Sequence, residues 1–160
     1  MNMTEDTVRQ ALAATLGNET ILLVEDEEVV RLMLVEVLTR QGYAVLEAGR
    51  GAEALALAEK AAKPIDLLVT DMSMPGMTGW DLAQSLRRRH PGLPVLFMSG
   101  YDERKTALWG RLDPPPKHLF KPFALDAFLH QARQMLDQKK KSAAAGPAEK
   151  TGAGGTPGLS

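Results

Sequence analysis

The chain has 160 residues, of which 44% are hydrophobic and 24% charged, with a formal net charge of -1 and no cysteine. This composition is typical of a globular domain, excludes disulfide and thiolate chemistry, and gives no electrostatic reason to expect nucleic acid or an anionic membrane as a partner. No apolar run is long enough to span a membrane and residues 1–20 do not resemble a signal peptide, so we expect a cytoplasmic protein.

Short apolar runs alternate with helical stretches along most of the chain. Each apolar run is bounded by turn residues, a pattern typical of the buried strands of a parallel sheet. A short amphipathic helix is predicted before them, at 4–16. The predicted strands are 20–24, 43–47, 65–70, 94–98 and 117–120, and the predicted helices between and after them are 27–41, 52–62, 80–89, 102–112 and 125–138.

Five alternating strand–helix units predict an α/β fold, a three-layer sandwich with right-handed crossovers. We adopt a flavodoxin-like, doubly wound, five-stranded parallel sheet in the order 2-1-3-4-5, because this order places the first and third strands side by side. The domain is expected to span 19–138, after an N-terminal extension (1–18). The tail at 139–160 is rich in lysine, alanine, glycine, proline and serine, and is expected to be disordered.

Polar side chains follow four of the predicted strands. Glu25 and Asp26 follow the first strand, and Asp71 follows the third. Ser99 follows the fourth and Lys121 the fifth. The carboxyl ends of parallel strands open on one edge of a sheet, where ligands bind, so we expect these groups to lie together. Three carboxylates, a hydroxyl and an ammonium suit a phosphoryl group and a hard divalent metal such as Mg²⁺.

Four segments resemble the receiver domain of a two-component response regulator. They are ILLVEDEE at 21–28, LLVTDMSMPGMTGWDL at 67–82, PVLFMSGY at 94–101 and LFKPF at 119–123, in the order and with the gaps of that family. Details such as SGY and the LDP stretch are most similar to receivers of hybrid histidine kinases. The resemblance implies a sensor histidine kinase or phosphotransfer protein as phosphoryl donor, and a downstream protein target that the sequence does not identify.

The resemblance also implies which groups handle the phosphoryl group. Asp71 would be the nucleophile and carry the phosphoryl group as an aspartyl phosphate. Lys121 would supply a positive charge, Ser99 would supply a hydroxyl donor, and the Lys121–Pro122 peptide is commonly cis in this family. Such a protein catalyses its own phosphorylation and slow autodephosphorylation and is not a turnover enzyme.

By the same resemblance, Mg²⁺ would be bound by the carboxylates of Asp26 and Asp71 and by the backbone carbonyl of Ser73. Glu25 would act on the metal through water, and Mn²⁺ would substitute for Mg²⁺. Many receivers have aspartate at the first acidic position, so Glu25 is one methylene longer than the common residue. Crowded carboxylates raise one another's pKa, and a divalent cation relieves that conflict.

We expect the conformational switch to consist of Ser99, Tyr101 and His118. Ser99 would move toward the new phosphoryl oxygens and carry its loop with it. Tyr101 and Ser73 occupy positions that line the path of the hydrolytic water in this family, and a large Tyr101 with a small Ser73 predicts slow hydrolysis. His118 occupies a position where many receivers have a switching tyrosine or phenylalanine.

Two alternatives to a phospho-accepting switch stay open. A phosphohydrolase of the haloacid dehalogenase type also uses an aspartate nucleophile, a serine or threonine and a lysine. Its nucleophile strand, however, carries Asp-x-Asp at the start of the domain, whereas here the acidic pair comes first and Asp71 is followed by Met72-Ser73. The other alternative is an inactive receiver used only for docking, although no essential residue is missing.

Overall fold

A computed structural model of the chain describes residues 4–13, 15–100 and 112–154. In these residues, parallel strands form one five-stranded sheet in the order β2-β1-β3-β4-β5, which confirms the predicted topology. The elements in chain order are α1 (Glu5–Ala13), β1 (Thr20–Val24), α2 (Glu28–Arg40), β2 (Ala44–Ala48), α3 (Gly51–Lys60), β3 (Leu67–Asp71), α4 (Gly79–Arg89), β4 (Val95–Ser99), β5 (Lys117–Phe120) and α5 (Leu125–Gly154).

The sheet is covered on both faces, as expected for apolar parallel strands. Every residue of β1, β3 and β4 is buried, because their alternate side chains enter two separate cores. On one face α2 and α5 pack through residues such as Leu34 and Phe128. On the other face α3 and α4 pack through residues such as Ala54 and Leu82. The three central strands therefore hold their carboxyl ends rigidly, which fixes the groups that follow them.

Three strands, β2, β3 and β4, end one residue later than their sequence patterns predicted, and in β3 and β4 the added residue is polar. Asp71 is paired in register with Met98, and Ser99 is paired with Phe120, so each polar residue is the last residue of its strand. The ladder continues because its hydrogen bonds come from the backbone, whatever the side chain. As a result both Asp71 and Ser99 belong to the sheet and not to a loop.

The last helix is longer than predicted. The sequence pattern predicted an end at Gln138 and a disordered tail, whereas α5 continues to Gly154. Extending a helix that is already anchored requires no new nucleation, and lysine and alanine are good helix formers. The domain limits at 18 and 138 remain predictions, and the helix predicted at 102–112 lies outside the described residues. Among the described helices, none combines the length and apolar character needed to cross a membrane.

Candidate functional site

Three carboxylates meet at the carboxyl edge of the sheet, where β1 and β3 lie side by side. The side chains of Glu25, Asp26 and Asp71 each offer an oxygen, and these oxygens all lie within 4.8 Å of one another. Glu25 and Asp71 are buried, whereas Asp26 is exposed. The backbone N–H of Glu25 donates to the carbonyl of Ala48 at 3.1 Å, so the acidic pair is anchored to β2 directly beyond the end of β1.

Lys121 bridges two of these carboxylates. Its Nζ lies 3.1 Å from Oε1 of Glu25 and 3.2 Å from Oδ2 of Asp71. Its backbone N–H donates to the carbonyl of Ser99 at 2.8 Å, and the peptide bond to Pro122 is cis. The backbone of Lys121 is thus held at the end of β4, and from there its side chain reaches the two carboxylates.

Burial and like charge dominate the electrostatics of the site. Burial, followed by the nearby carboxylate of Asp71, raises the pKa of Glu25 to about 8, although Lys121 acts in the opposite direction. Burial alone would lower the pKa of Lys121, but its bonds to Glu25 and the charges of both carboxylates outweigh burial and raise it. The lysine therefore stays charged, and the site still has more negative charge than one ammonium can balance.

Ser99 ends the neighbouring strand β4, one residue beyond Met98, which is the register partner of Asp71. Its side chain is completely buried, and within the described part of the chain Oγ has no hydrogen-bond partner. A buried hydroxyl without a partner is energetically unfavourable. It is therefore a donor available to an acceptor that enters the site.

The loop after Asp71 is closed by a glycine whose structural role was not inferred from the sequence. Gly79 begins α4, its N–H donates to the carbonyl of Met72 at 2.9 Å, and a Cβ placed on it would lie 2.1 Å from the carbonyl oxygen of Asp71. Thr78 and Asp81 form a capping box at the same helix start. The sequence signal was present, since a threonine followed three residues later by an acid precedes a helical run. Ser73 lies exposed within this loop.

His118 and Tyr101 are the predicted switch residues other than Ser99. His118 lies on β5, half-buried, with its ring stacked 5.3 Å from Phe97 and 6.2 Å from Phe120. Burial lowers the pKa of His118 to about 4, so its ring is neutral at neutral pH and packs as an uncharged aromatic ring between Phe97 and Phe120. Tyr101 lies outside the described residues.

A cavity of about 610 Å³ lies at the opposite edge of the sheet, between the loops that lead into β3, β4 and β5 and one face of α5. Its lining includes Ile65, Leu93, Pro94, Pro114 and Met135. None of the carboxylates contributes to that lining, so this cavity takes no part in the chemistry of the acidic cluster.

The donor set fits a hard divalent cation. Mg²⁺ prefers carboxylate and carbonyl oxygens, and the cluster offers three carboxylates within reach of one another. Oε2 of Glu25 is buried and, in the part of the chain that the structure describes, makes no hydrogen bond. Such an oxygen suits a metal-bound water. The residues present therefore match the group that the sequence resemblance implied.

Comparisons with known proteins agree with this geometry. The family model "Response regulator receiver domain" matches residues 21–133. The sensor kinase CckA of Brucella abortus is 39% identical over 123 residues, which are 77% of this chain but 13% of that protein. The transcriptional regulatory protein CreB of Escherichia coli is 33% identical, covering 84% and 58% of the two chains. The chain thus spans only part of these two relatives.

One relative is matched over nearly its whole length. The sporulation initiation phosphotransferase F of Bacillus subtilis is 30% identical over 122 residues, which are 76% of this chain and 97% of that protein. Among solved structures, the receiver domain of the hybrid histidine kinase CckA has a TM-score of 0.61 at 36% identity, covering 73% and 98% of the two chains. The response regulator TrrA of Thermotoga maritima, solved with Mg(2+)-BeF, has a TM-score of 0.64 at 26% identity over the same shares.

Proposed function

Because the chain belongs to the response regulator receiver family, we propose that Asp71 accepts a phosphoryl group from a phosphohistidine on a sensor histidine kinase or phosphotransfer protein. The main support for this proposal is the position of the Asp71 carboxylate. Asp71 is the last residue of β3, 10% of its side chain is exposed, and its carboxylate lies 3.2 Å from the Lys121 ammonium. Receivers are signalling modules and not turnover enzymes, so we infer that this chain catalyses only its own phosphorylation and a slow autodephosphorylation.

The transfer step requires little covalent chemistry from the protein. An oxygen of Asp71 attacks phosphorus, the phosphorus–nitrogen bond breaks, and its electron pair returns to the imidazole of the donor. Positioning and neutralisation of the phosphoryl oxygens supply most of the rate in such reactions. Lys121 holds one Asp71 oxygen and presents positive charge to the incoming group. Ser99 would then donate its unused hydroxyl to a phosphoryl oxygen.

The metal would be held by the carboxylates of Asp26 and Asp71 and by the carbonyl of Ser73, with Glu25 acting through water. When bound, Mg²⁺ would neutralise the crowded carboxylates and the developing charge on the phosphoryl oxygens. Support comes from the clustering of these carboxylates and from the relative TrrA, which was solved with Mg(2+)-BeF. We expect Mn²⁺ to substitute, since it has the same preference for oxygen ligands.

A hydrophobic surface beside the site supports delivery by a protein. Val29, Leu32 and Met33 share one face of α2 and are 81%, 51% and 44% exposed. Exposed apolar side chains grouped on one helix face commonly mark a protein–protein contact. Since α2 begins at Glu28, two residues after Asp26, a partner that docks on this face would bring its phosphohistidine close to Asp71.

The switch would start at Ser99. Its hydroxyl, buried without a partner in the described residues, would gain an acceptor on phosphorylation and pull the end of β4 toward Asp71. We expect the conformational response between Ser99 and His118, and we expect Tyr101 to slow autodephosphorylation by covering the phosphoryl group. A downstream protein would then recognise the altered surface.

Phosphorylation by acetyl phosphate tests the proposal. Intact mass spectrometry should detect one added phosphoryl group in the presence of Mg²⁺ or Mn²⁺ and none in the presence of a chelator. Asp71→Asn should abolish the adduct, while Asp126→Asn, on the exposed start of α5, should not. Undiminished labelling of Asp71→Asn would overturn the assignment, and steady turnover of a small phosphate ester would favour a phosphohydrolase instead.

A further inference from the structure

A cation on α2 contacts the backbone of the acidic pair. Arg31 lies in the first turn of α2, and 18% of its side chain is exposed. Its Nη1 donates to the backbone carbonyl of Glu25 at 2.9 Å, and its Nε lies 3.4 Å from Oε1 of Glu47 on β2. The guanidinium therefore joins the end of β1, the start of α2 and the neighbouring strand.

The bond to Glu25 fixes the peptide that carries both carboxylates. The N–H of Glu25 is held by Ala48, and its carbonyl is held by Arg31. The Glu25 carbonyl belongs to the peptide bond that joins Glu25 to Asp26. With both ends of Glu25 held, its side chain is aimed into the sheet edge toward Lys121, and Asp26 leaves the strand in a fixed direction.

We propose that Arg31 is a positioning residue for the metal-binding carboxylates, acting through the Glu25 carbonyl and not by contact with the metal or the phosphoryl group. This role rests on the proposed function, because it takes Asp26 as a ligand of Mg²⁺. Partners that orient metal ligands are commonly needed for affinity, and their loss typically weakens metal binding about 10- to 100-fold.

The space for the guanidinium is tightly limited. A Cβ placed on Gly49 would lie 3.1 Å from Nη1 of Arg31, closer than most real side-chain contacts. The planar fork presents several donors in a fixed geometry, which suits simultaneous contact with a carbonyl and a carboxylate. Gly49→Ala should therefore displace the guanidinium without removing its charge.

Positioning and simple charge predict opposite results for the metal. A positive charge near a divalent cation repels it, so if Arg31 acted only through its charge, its removal would strengthen Mg²⁺ binding. If Arg31 orients the Glu25–Asp26 peptide, its removal weakens Mg²⁺ binding although a repelling charge has gone. The sign of the change therefore separates the two effects.

The test is a Mg²⁺ titration of the full chain, followed by the amide NMR shifts of residues 25, 26 and 71. We expect Arg31→Met to weaken Mg²⁺ binding about tenfold or more, and Gly49→Ala to weaken it in the same direction. Glu47→Gln, which leaves the bond to Glu25 in place, should stay within about twofold of the wild type, since the contact between Arg31 and Glu47 is long, at 3.4 Å, and the Glu47 side chain is 41% exposed. Circular dichroism melts establish that each variant is folded.

Three outcomes are distinguishable. Weaker binding in Arg31→Met and Gly49→Ala, with Glu47→Gln unchanged, supports the positioning role. If the wild-type chain binds Mg²⁺ and Arg31→Met binds it equally well or more tightly, the positioning role is overturned and the proposed function stays intact. If the wild-type chain shows no Mg²⁺-dependent shifts at residues 25, 26 and 71, the metal site itself fails, and the positioning role fails with it.

Discussion

The ammonium of Lys121 lies 3.2 Å from the carboxylate of Asp71, although the two residues are 50 positions apart in the chain. The same ammonium lies 3.1 Å from Glu25, so one positive charge serves two buried carboxylates while Asp26 stands beside them. When all three acids are ionised, which the raised pKa of Glu25, about 8, delays to alkaline pH without metal, the cluster has two negative charges more than Lys121 can balance. Crowding of these acids would favour binding of a divalent cation and would destabilise the metal-free protein.

Asp26→Ala should stabilise the metal-free protein, because it removes one of three crowded carboxylates. Asp26 is exposed, so the gain should be about 1 kcal/mol, a rise of a few degrees in the melting temperature. The matched control is Glu27→Ala, which removes an exposed charge that makes no capping hydrogen bond, and it should change the metal-free melt less. A clear loss of stability for Asp26→Ala without metal would contradict the cluster.

The same variant should lose Mg²⁺-dependent stabilisation. A direct ligand contributes more to affinity than a group acting through water, so Asp26→Ala should weaken Mg²⁺ binding more than Glu25→Ala. Calorimetric titration with MgCl₂ measures both. The reverse order would mean that Glu25 binds the metal directly and that the ligand roles are exchanged.

Gly79→Ala should be strongly destabilising, because its Cβ would lie 2.1 Å from the carbonyl oxygen of Asp71. Overpacking against backbone costs about 1–3 kcal/mol, and the loop after Asp71 must shift to relieve it. Gly92→Ala is the control, since a Cβ there meets nothing within 4 Å; it should be neutral or slightly stabilising. Urea melts measure both variants, and equal stabilities would show that the loop gives way easily.

Val29→Glu should slow phosphotransfer from a protein donor but not from acetyl phosphate, because only the protein donor needs the apolar face of α2. Thr39→Glu places the same charge about 15 Å further along the same helix and should leave both reactions unchanged. The initial rates of labelling with the two donors measure the difference. If Val29→Glu slowed both reactions equally, the substitution would be disturbing the site and not a docking surface.

A second ion pair predicts acid sensitivity. Arg133 donates two hydrogen bonds to the buried carboxylate of Glu19, and this contact lowers the pKa of Glu19 from 4.5 to about 2. A carboxyl with a depressed pKa stabilises the fold above its unfolded value, so this contribution is complete above about pH 4.5 and is lost as the pH falls toward 2.

Glu19→Gln should therefore be less stable than wild type at pH 7, by at most about 3 kcal/mol, and the difference should shrink toward zero near pH 2. Urea melts across this range measure it. Glu36→Gln breaks an exposed pair with Arg40 and should cost only about 0.3–0.5 kcal/mol. A difference for Glu19→Gln that stayed constant with pH would show that the effect comes from packing.

The fold could be predicted because its apolar runs are short, buried on both faces and separated by helical stretches. The clustering of Asp71 and Ser99 near Glu25 could be predicted because parallel strands bring their carboxyl ends together. Sequence patterns placed both one residue beyond their strands, because the ladder bonds to Met98 and Phe120 come from the backbone and leave no trace in residue type.

Long-range side-chain contacts could not be predicted. Nothing in the sequence indicates that Arg31 bonds the carbonyl of Glu25, or that Arg133 reaches Glu19 across 114 residues, since both depend on how helices settle on the sheet. The end of α5 was missed for a different reason. Composition favours disorder at 139–154, whereas a docked helix can extend through the same residues.

The most direct test of the account is to locate the phosphoryl group. After phosphorylation with acetyl phosphate and Mg²⁺, borohydride reduction converts an aspartyl phosphate to homoserine, which peptide mass spectrometry can place in the sequence. We predict homoserine at position 71 alone, and none when Mg²⁺ is chelated. Reduction at Glu25 or Asp26, or an acid-labile phosphoryl group on His118 or His130, would contradict the assignment of Asp71 as the acceptor.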